Sequence, residues 1–127
     1  MGTSEIYGNK VSGIACTNTG TTAGEIARGI RVNGNANSGT ITRIYNNFVS
    51  NIQSATTNAT LTVRKVIGLS LQPAAGGAGS GIYAEFNSVN INASTLGNSN
   101  GCLEIGIASG PVFKVRNNIL ANSTAAL

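Results

Sequence analysis

Four asparagines, Asn9, Asn47, Asn87 and Asn118, recur in one local frame, and no other feature of the sequence constrains the fold as tightly. The segments around them are Glu5-Ile-Tyr-Gly-Asn-Lys-Val11, Arg43-Ile-Tyr-Asn-Asn-Phe-Val49, Tyr83-Ala-Glu-Phe-Asn-Ser-Val89 and Lys114-Val-Arg-Asn-Asn-Ile-Leu120, and they align without gaps. Their asparagines stand 38, 40 and 31 residues apart. A second pattern falls between them: Gly29-Ile-Arg-Val32, Gly68-Leu-Ser-Leu71 and Glu104-Ile-Gly-Ile107 each alternate apolar residues, with Ile30, Leu69 and Ile105 as equivalents. Two patterns that drift together mark one internal repeat. The drift falls in Gly/Ser/Thr/Asn stretches at Gln53–Thr60, Pro73–Gly81 and Thr95–Asn100, which read as loops.

Each repeat then holds three short strands. One is of the Gly-Ile-x-Val type, a second leads up to the column Asn, and a third follows it. A corner that recurs in every repeat turns the chain sideways instead of back, and Asn tolerates the positive φ such a corner needs. Each strand meets its own equivalent one repeat away, in parallel, about 4.8 Å distant. Alternation then fixes the inward side. The positions three and five before the Asn (Ile6/Ser4, Ile44/Thr42, Ala84/Ile82, Val115/Phe113) and two after it (Val11, Val49, Val89, Leu120) read as interior. Stacked amides bond their neighbours in a ladder, as in cross-β structures. An antiparallel β-sandwich accounts for the alternation but not for the Asn column.

The composition agrees. There are 17 Gly and no Trp, and only 9% of residues are charged, against the usual quarter. Helix formers are scarce, so propensity favours strands. The expected fold is all-β: a right-handed, single-stranded parallel β-helix (solenoid) of about three and a half coils of 31–40 residues, with residues 1–127 as one domain. The opening, Met1 to Glu5, is not a signal peptide and reads as a fragment of a longer protein beginning mid-pattern.

Segments such as Ile44-Tyr-Asn-Asn-Phe-Val-Ser-Asn-Ile52, Tyr83-Ala-Glu-Phe-Asn-Ser-Val-Asn-Ile91 and Val115-Arg-Asn-Asn-Ile-Leu-Ala-Asn122 resemble the pectate-lyase-like parallel β-helix repeat of secreted, surface-attached bacterial proteins. The resemblance spans nearly the whole chain. It implies an extracellular or cell-surface location. It is weak on function, because lyases, hydrolases, adhesins and phage spikes share the scaffold.

The residues argue against chemistry. Hydrolases of this scaffold use paired Asp side chains and lyases hold Ca²⁺ with several carboxylates, whereas this chain has no Asp, no His and only Glu5, Glu25, Glu85 and Glu104, one per region. No catalytic residue, metal ligand or cofactor is expected. Cys16 lacks a His partner, and Cys16 and Cys102 sit three coils apart in this register, roughly 14 Å, so no internal disulfide is expected. Gly76-Gly-Ala-Gly-Ser-Gly81 lacks the Lys-Ser/Thr ending of a phosphate loop and reads as a connector. The net charge of +4 is scattered from Lys10 to Arg116, which argues against nucleic acid, and the absence of an 18-residue apolar run argues against membrane insertion by a helix.

One surface stands out. Four residues before the column Asn come Glu5, Arg43, Tyr83 and Lys114, and two before it come Tyr7, Tyr45, Glu85 and Arg116. This strip gathers every tyrosine and five of the twelve charged residues. It reads first as cross-strand pairing, Glu5 with Arg43 and Glu85 with Arg116. Its alternative use is a face built from Tyr7, Tyr45, Tyr83, Glu85, Arg43 and Arg116 that stacks sugar rings or meets a protein. The first-strand outer face, reading Gly29/Arg31, Gly68/Ser70 and Glu104/Gly106, is expected to be small and nearly neutral. The expected function is a non-catalytic structural or adhesive segment, with a carbohydrate-binding module second and a lyase remnant third. Uncapped coils expose strand edges, so self-association is expected.

Overall fold

In the computed structural model the described residues are 2–16, 27–34, 37–54, 66–72, 74, 78–91, 100–106 and 109–123. They form eleven strands and no helix: β1 (Thr3–Tyr7), β2 (Lys10–Cys16), β3 (Ala27–Asn33), β4 (Ile41–Tyr45), β5 (Phe48–Ser54), β6 (Val66–Gln72), β7 (Gly81–Glu85), β8 (Ser88–Ile91), β9 (Asn100–Ile105), β10 (Val112–Arg116) and β11 (Ile119–Asn122). Short runs rich in Ile, Val and Thr, punctuated by Gly and Asn, explain strands of this length.

The architecture is all-β with three parallel sheets. Sheet A runs β1-β4-β7-β10, sheet B runs β2-β5-β8-β11 and sheet C runs β3-β6-β9. Every pairing is parallel and joins strands three apart in chain order. One repeat therefore contributes one strand to each sheet, and the repeats lie in layers. The registers in sheet A are those the asparagines predict: Glu5 opposite Arg43, Arg43 opposite Tyr83, and Tyr83 opposite Lys114.

All three sheets line one apolar core. Sheet A contributes Ile44, Ile82 and Ala84, sheet B Val49, Ile52, Val89 and Ile91, and sheet C Ala27, Val32, Val66, Leu69, Leu71 and Cys102. Burial peaks in the middle layers and falls off at both ends. Ile44 and Ala84 are fully buried, whereas their equivalents Ile6 and Val115 are partly buried and exposed. Val49 and Val89 are buried, whereas Leu120 is exposed. The expectation that Val115 and Leu120 are interior is thus corrected, and so is that for Ser4, which is exposed. Their side chains lack a covering layer.

Three further expectations change. The positive φ of the A-to-B corner belongs not to the column Asn but to the residue before it, in Gly8 (φ 66°), Asn46 (54°), Phe86 (57°) and Asn117 (55°). The register of β9 is offset by two residues: Leu69 faces Leu103, and Ile105 faces Leu71 instead of Leu69. Finally, Gly29 and Gly68 point inward. A β-carbon on Gly29 would lie 2.3 Å from Val49 Cγ1, and one on Gly68 would lie 2.2 Å from Val89 Cγ1. Ile30 and Leu69 also pack on the core, so two consecutive residues face in and the alternation changes phase there. Of the expected loops, residues 55–60, 73, 75–77 and 95–99 lie outside the described residues, as do Asn58, Asn92, Gly76, Gly77, Glu25 and Ile107.

Candidate functional site

The outer face of sheet A carries the tyrosines and charges expected of it, in a geometry set by parallel stacking. Side chains two residues apart share a face, and each sits over its equivalent in the next layer. Tyr7 and Tyr45 stack with ring centroids 5.0 Å apart and planes 3° from parallel. Tyr83 lies between two cations from the layers on either side, with the Arg43 guanidinium 5.8 Å and the Lys114 ammonium 4.5 Å from its ring centre. Arg116 Nε donates to Glu85 Oε1. Partial burial in the stack, then the Glu5 carboxylate and the neighbouring Tyr7, hold the Tyr45 hydroxyl above its ordinary pKa. The structure therefore brings Arg43, Tyr83, Glu85 and Arg116 into contact with one another or with Lys114, and Tyr7 with Tyr45. The faces of Tyr83 and one face each of Tyr7 and Tyr45 are covered by neighbours. One ring face of Tyr7 remains open at the end of the stack, where the residue is 58% exposed.

The four column asparagines form a continuous amide ladder. Asn47 Oδ1 accepts from the main-chain N–H (3.1 Å) and Nδ2 (2.9 Å) of Asn9. Asn87 Oδ1 accepts the same pair from Asn47 at 3.2 and 2.9 Å, and Asn118 Oδ1 accepts it from Asn87 at 2.8 and 3.0 Å. Each Nδ2 also donates to the carbonyl two residues earlier in its own chain segment. From the second layer on, it reaches back to a carbonyl of the previous layer as well, at Ile6, Ile44 and Ala84. Asn47 and Asn87 are buried, and buried amides need partners of this kind.

The outer face of sheet C carries a hydrogen-bonded polar network that the expected register does not produce. The offset in β9 places Glu104 opposite Ser70. Ser70 Oγ donates to Glu104 Oε2 at 2.7 Å, and Gln72 Nε2 donates to the same oxygen at 3.0 Å. Arg28 and Arg31 lie on β3 alongside, with Arg31 in register with Ser70. Gly29 and Gly68 leave this face altogether. Alternation with period two could not detect the network, because a slip of two residues keeps every side chain on its side.

Among the described residues no three His, Cys, Asp or Glu side chains cluster to hold a metal ion. Glu85 is bonded to Arg116 and Glu104 to Ser70 and Gln72, so neither carboxylate is paired with another. Both cysteines are free thiols. They lie two layers apart on different sheets, not three coils apart as expected, because Cys16 is on β2 of the first repeat and Cys102 on β9 of the third. Burial pushes the Cys102 thiol up, and its Sγ lies 3.1 Å from the Ala121 carbonyl oxygen. No described helix is long and apolar enough to cross a membrane. The chain matches no family model, no curated protein and no solved structure, so the likeness to pectate-lyase-like repeats rests on the quoted residues alone.

Proposed function

We propose that the chain is a stretch of right-handed parallel β-helix that serves as a non-catalytic structural or adhesive segment of an extracellular or cell-surface protein. The single observation that carries this reading is the amide ladder, which runs unbroken through four layers and makes each repeat a floor for the next. A chain wound once through three parallel sheets satisfies its strands by neighbours of its own kind, and right-handed crossovers are the general rule for parallel strands. The side chains on sheet A support the same reading. Their groups are engaged with each other across layers, the pattern of a face that stabilises a stack.

Carbohydrate binding stays as a second reading because Tyr7 keeps one ring face open. A glycan array with the wild-type chain and the Tyr7→Ala and Tyr45→Ala variants separates the two. The scaffold reading expects no glycan signal above background. A signal that both variants abolish would replace it with the binding module. Release of unsaturated sugars from polygalacturonate would replace both with a lyase.

A further inference from the structure

We propose that Tyr7 and Tyr45 form a site of oxidative cross-linking, at which a peroxidase acting with hydrogen peroxide joins the two rings by a carbon–carbon bond and ties two layers of the stack together covalently. The inference uses only the register and geometry of sheet A, so it holds for a scaffold and for a glycan binder alike.

The fold supplies the proximity. Tyr7 stands opposite Tyr45 in the parallel register of β1 and β4, although 38 residues separate them along the chain. Their ring centroids are 5.0 Å apart and their planes 3° from parallel. An in-register parallel pair holds the rings there, because each side chain leaves its strand in the same direction as its equivalent. Proximity of this kind turns the encounter of two radicals into a step within one molecule. Both rings stand on the outer face, Tyr7 exposed and Tyr45 half-buried, so the tilt that brings one ring edge to the other meets no core side chain.

Charge sets this pair apart from the third tyrosine. Nearby positive charge opposes the loss of an electron, and Tyr83 has the Arg43 guanidinium 5.8 Å and the Lys114 ammonium 4.5 Å from its ring centre. At Tyr45 the balance is reversed. Burial in the stack and then the Glu5 carboxylate hold its hydroxyl proton, whereas Arg43 acts on it most weakly of all. A carboxylate beside the phenol is also a base for the proton that leaves with the electron.

The step balances. Each phenol gives up one electron and its hydroxyl proton. The two radicals pair at ring carbons next to the oxygen, and the hydrogens on those carbons move to the oxygens as both rings regain aromaticity. Two hydrogen atoms leave in all, and one hydrogen peroxide takes them up and becomes two waters.

Treatment of the dilute 127-residue chain with a haem peroxidase and hydrogen peroxide tests the proposal. The intact mass is expected to fall by two hydrogen atoms while the chain stays monomeric, and trypsin should release peptide 1–10 joined to peptide 44–64. Tyr7→Phe and Tyr45→Phe each keep a ring in the stack and should abolish the product, whereas Tyr83→Phe should leave it unchanged. Unfolding in urea before oxidation should cut the yield about tenfold, because the register no longer holds the rings together. The cross-linked chain should melt about 5 °C or more above the untreated one, since a bond that closes a long loop restricts the unfolded state. No product, a bond through Tyr83, or a product found only between chains would overturn the proposal. So would a yield that unfolding leaves the same, or a melting temperature that does not rise.

Discussion

Asn87, together with Asn47, is the most heavily hydrogen-bonded polar residue of the ladder. Its Oδ1 takes two donors from Asn47, while its own N–H groups serve Asn118, Ile44 and Glu85. Truncation to Ala leaves the buried Asn47 amide without its acceptor, so Asn87→Ala should cost about 3 kcal/mol in urea denaturation. Asn9 is exposed and ends the ladder, and Asn9→Ala should cost about 1 kcal/mol or less. Equal losses for the two variants would contradict a ladder anchored at its buried centre. The corner beside it supplies a second test. Phe86 holds φ 57° while 57% exposed, where Asn46 and Asn117 occupy the same corner in other layers. The left-handed conformation disfavours a bulky side chain by about 1 kcal/mol, whereas Asn visits it readily. Phe86→Asn should therefore raise the unfolding free energy by about 0.5–1 kcal/mol. A melting temperature that stays level or falls would show that the Phe86 ring has an unrecognised packing role.

At the scale of the strand, the three sheets were not equally readable. The registers of sheets A and B follow from the asparagine spacing, because a parallel stack places each residue over its equivalent and sequence interval becomes spatial neighbour. Sheet C lacks such a marker. Its apolar alternation survives a two-residue slip, which is why Ile105 reads as the equivalent of Leu69 when Leu103 holds that place. Around Gly68 the packing against β9 is close. A β-carbon on Gly68 would sit 2.8 Å from the Cys102 carbonyl oxygen as well as 2.2 Å from Val89 Cγ1. Gly68→Ala should accordingly cost about 2 kcal/mol or more by thermal unfolding, the usual scale of overpacking. Gly79→Ala makes a useful contrast, since space around that position is open and its penalty comes from φ 71° alone. A neutral Gly68→Ala would mean that sheets B and C can separate at no cost.

Across the whole molecule, stability is expected to be graded along the stack. Repeats touch only their neighbours, so inner layers are held from two sides and outer layers from one. Hydrogen exchange measured on dilute protein should find the amides of β4, β5, β7 and β8 slowest, with those of β1, β10 and β11 exchanging orders of magnitude faster. Uniform protection would indicate a single all-or-none unit instead of coupled layers. The glycines ahead of sheet A tell the same story of repetition: Gly39 (φ 70°), Gly79 (71°) and Gly110 (109°) each stand two residues before their strand. That third corner was legible in the sequence as a Gly eight residues before each of Asn47, Asn87 and Asn118, at the same intervals of 40 and 31 residues.

The sequence by itself determined the period, the parallel partners in sheets A and B, and which side chains share the outer strip of sheet A. It could do so because in a stacked repeat those relations depend only on spacing along the chain. Tertiary structure alone decided which corner residue takes positive φ, that Gly29 and Gly68 turn inward, how β9 is set, and that the strip's rings and charges satisfy one another. Those outcomes depend on close packing and side-chain contacts in three dimensions, of which spacing along the chain carries no record.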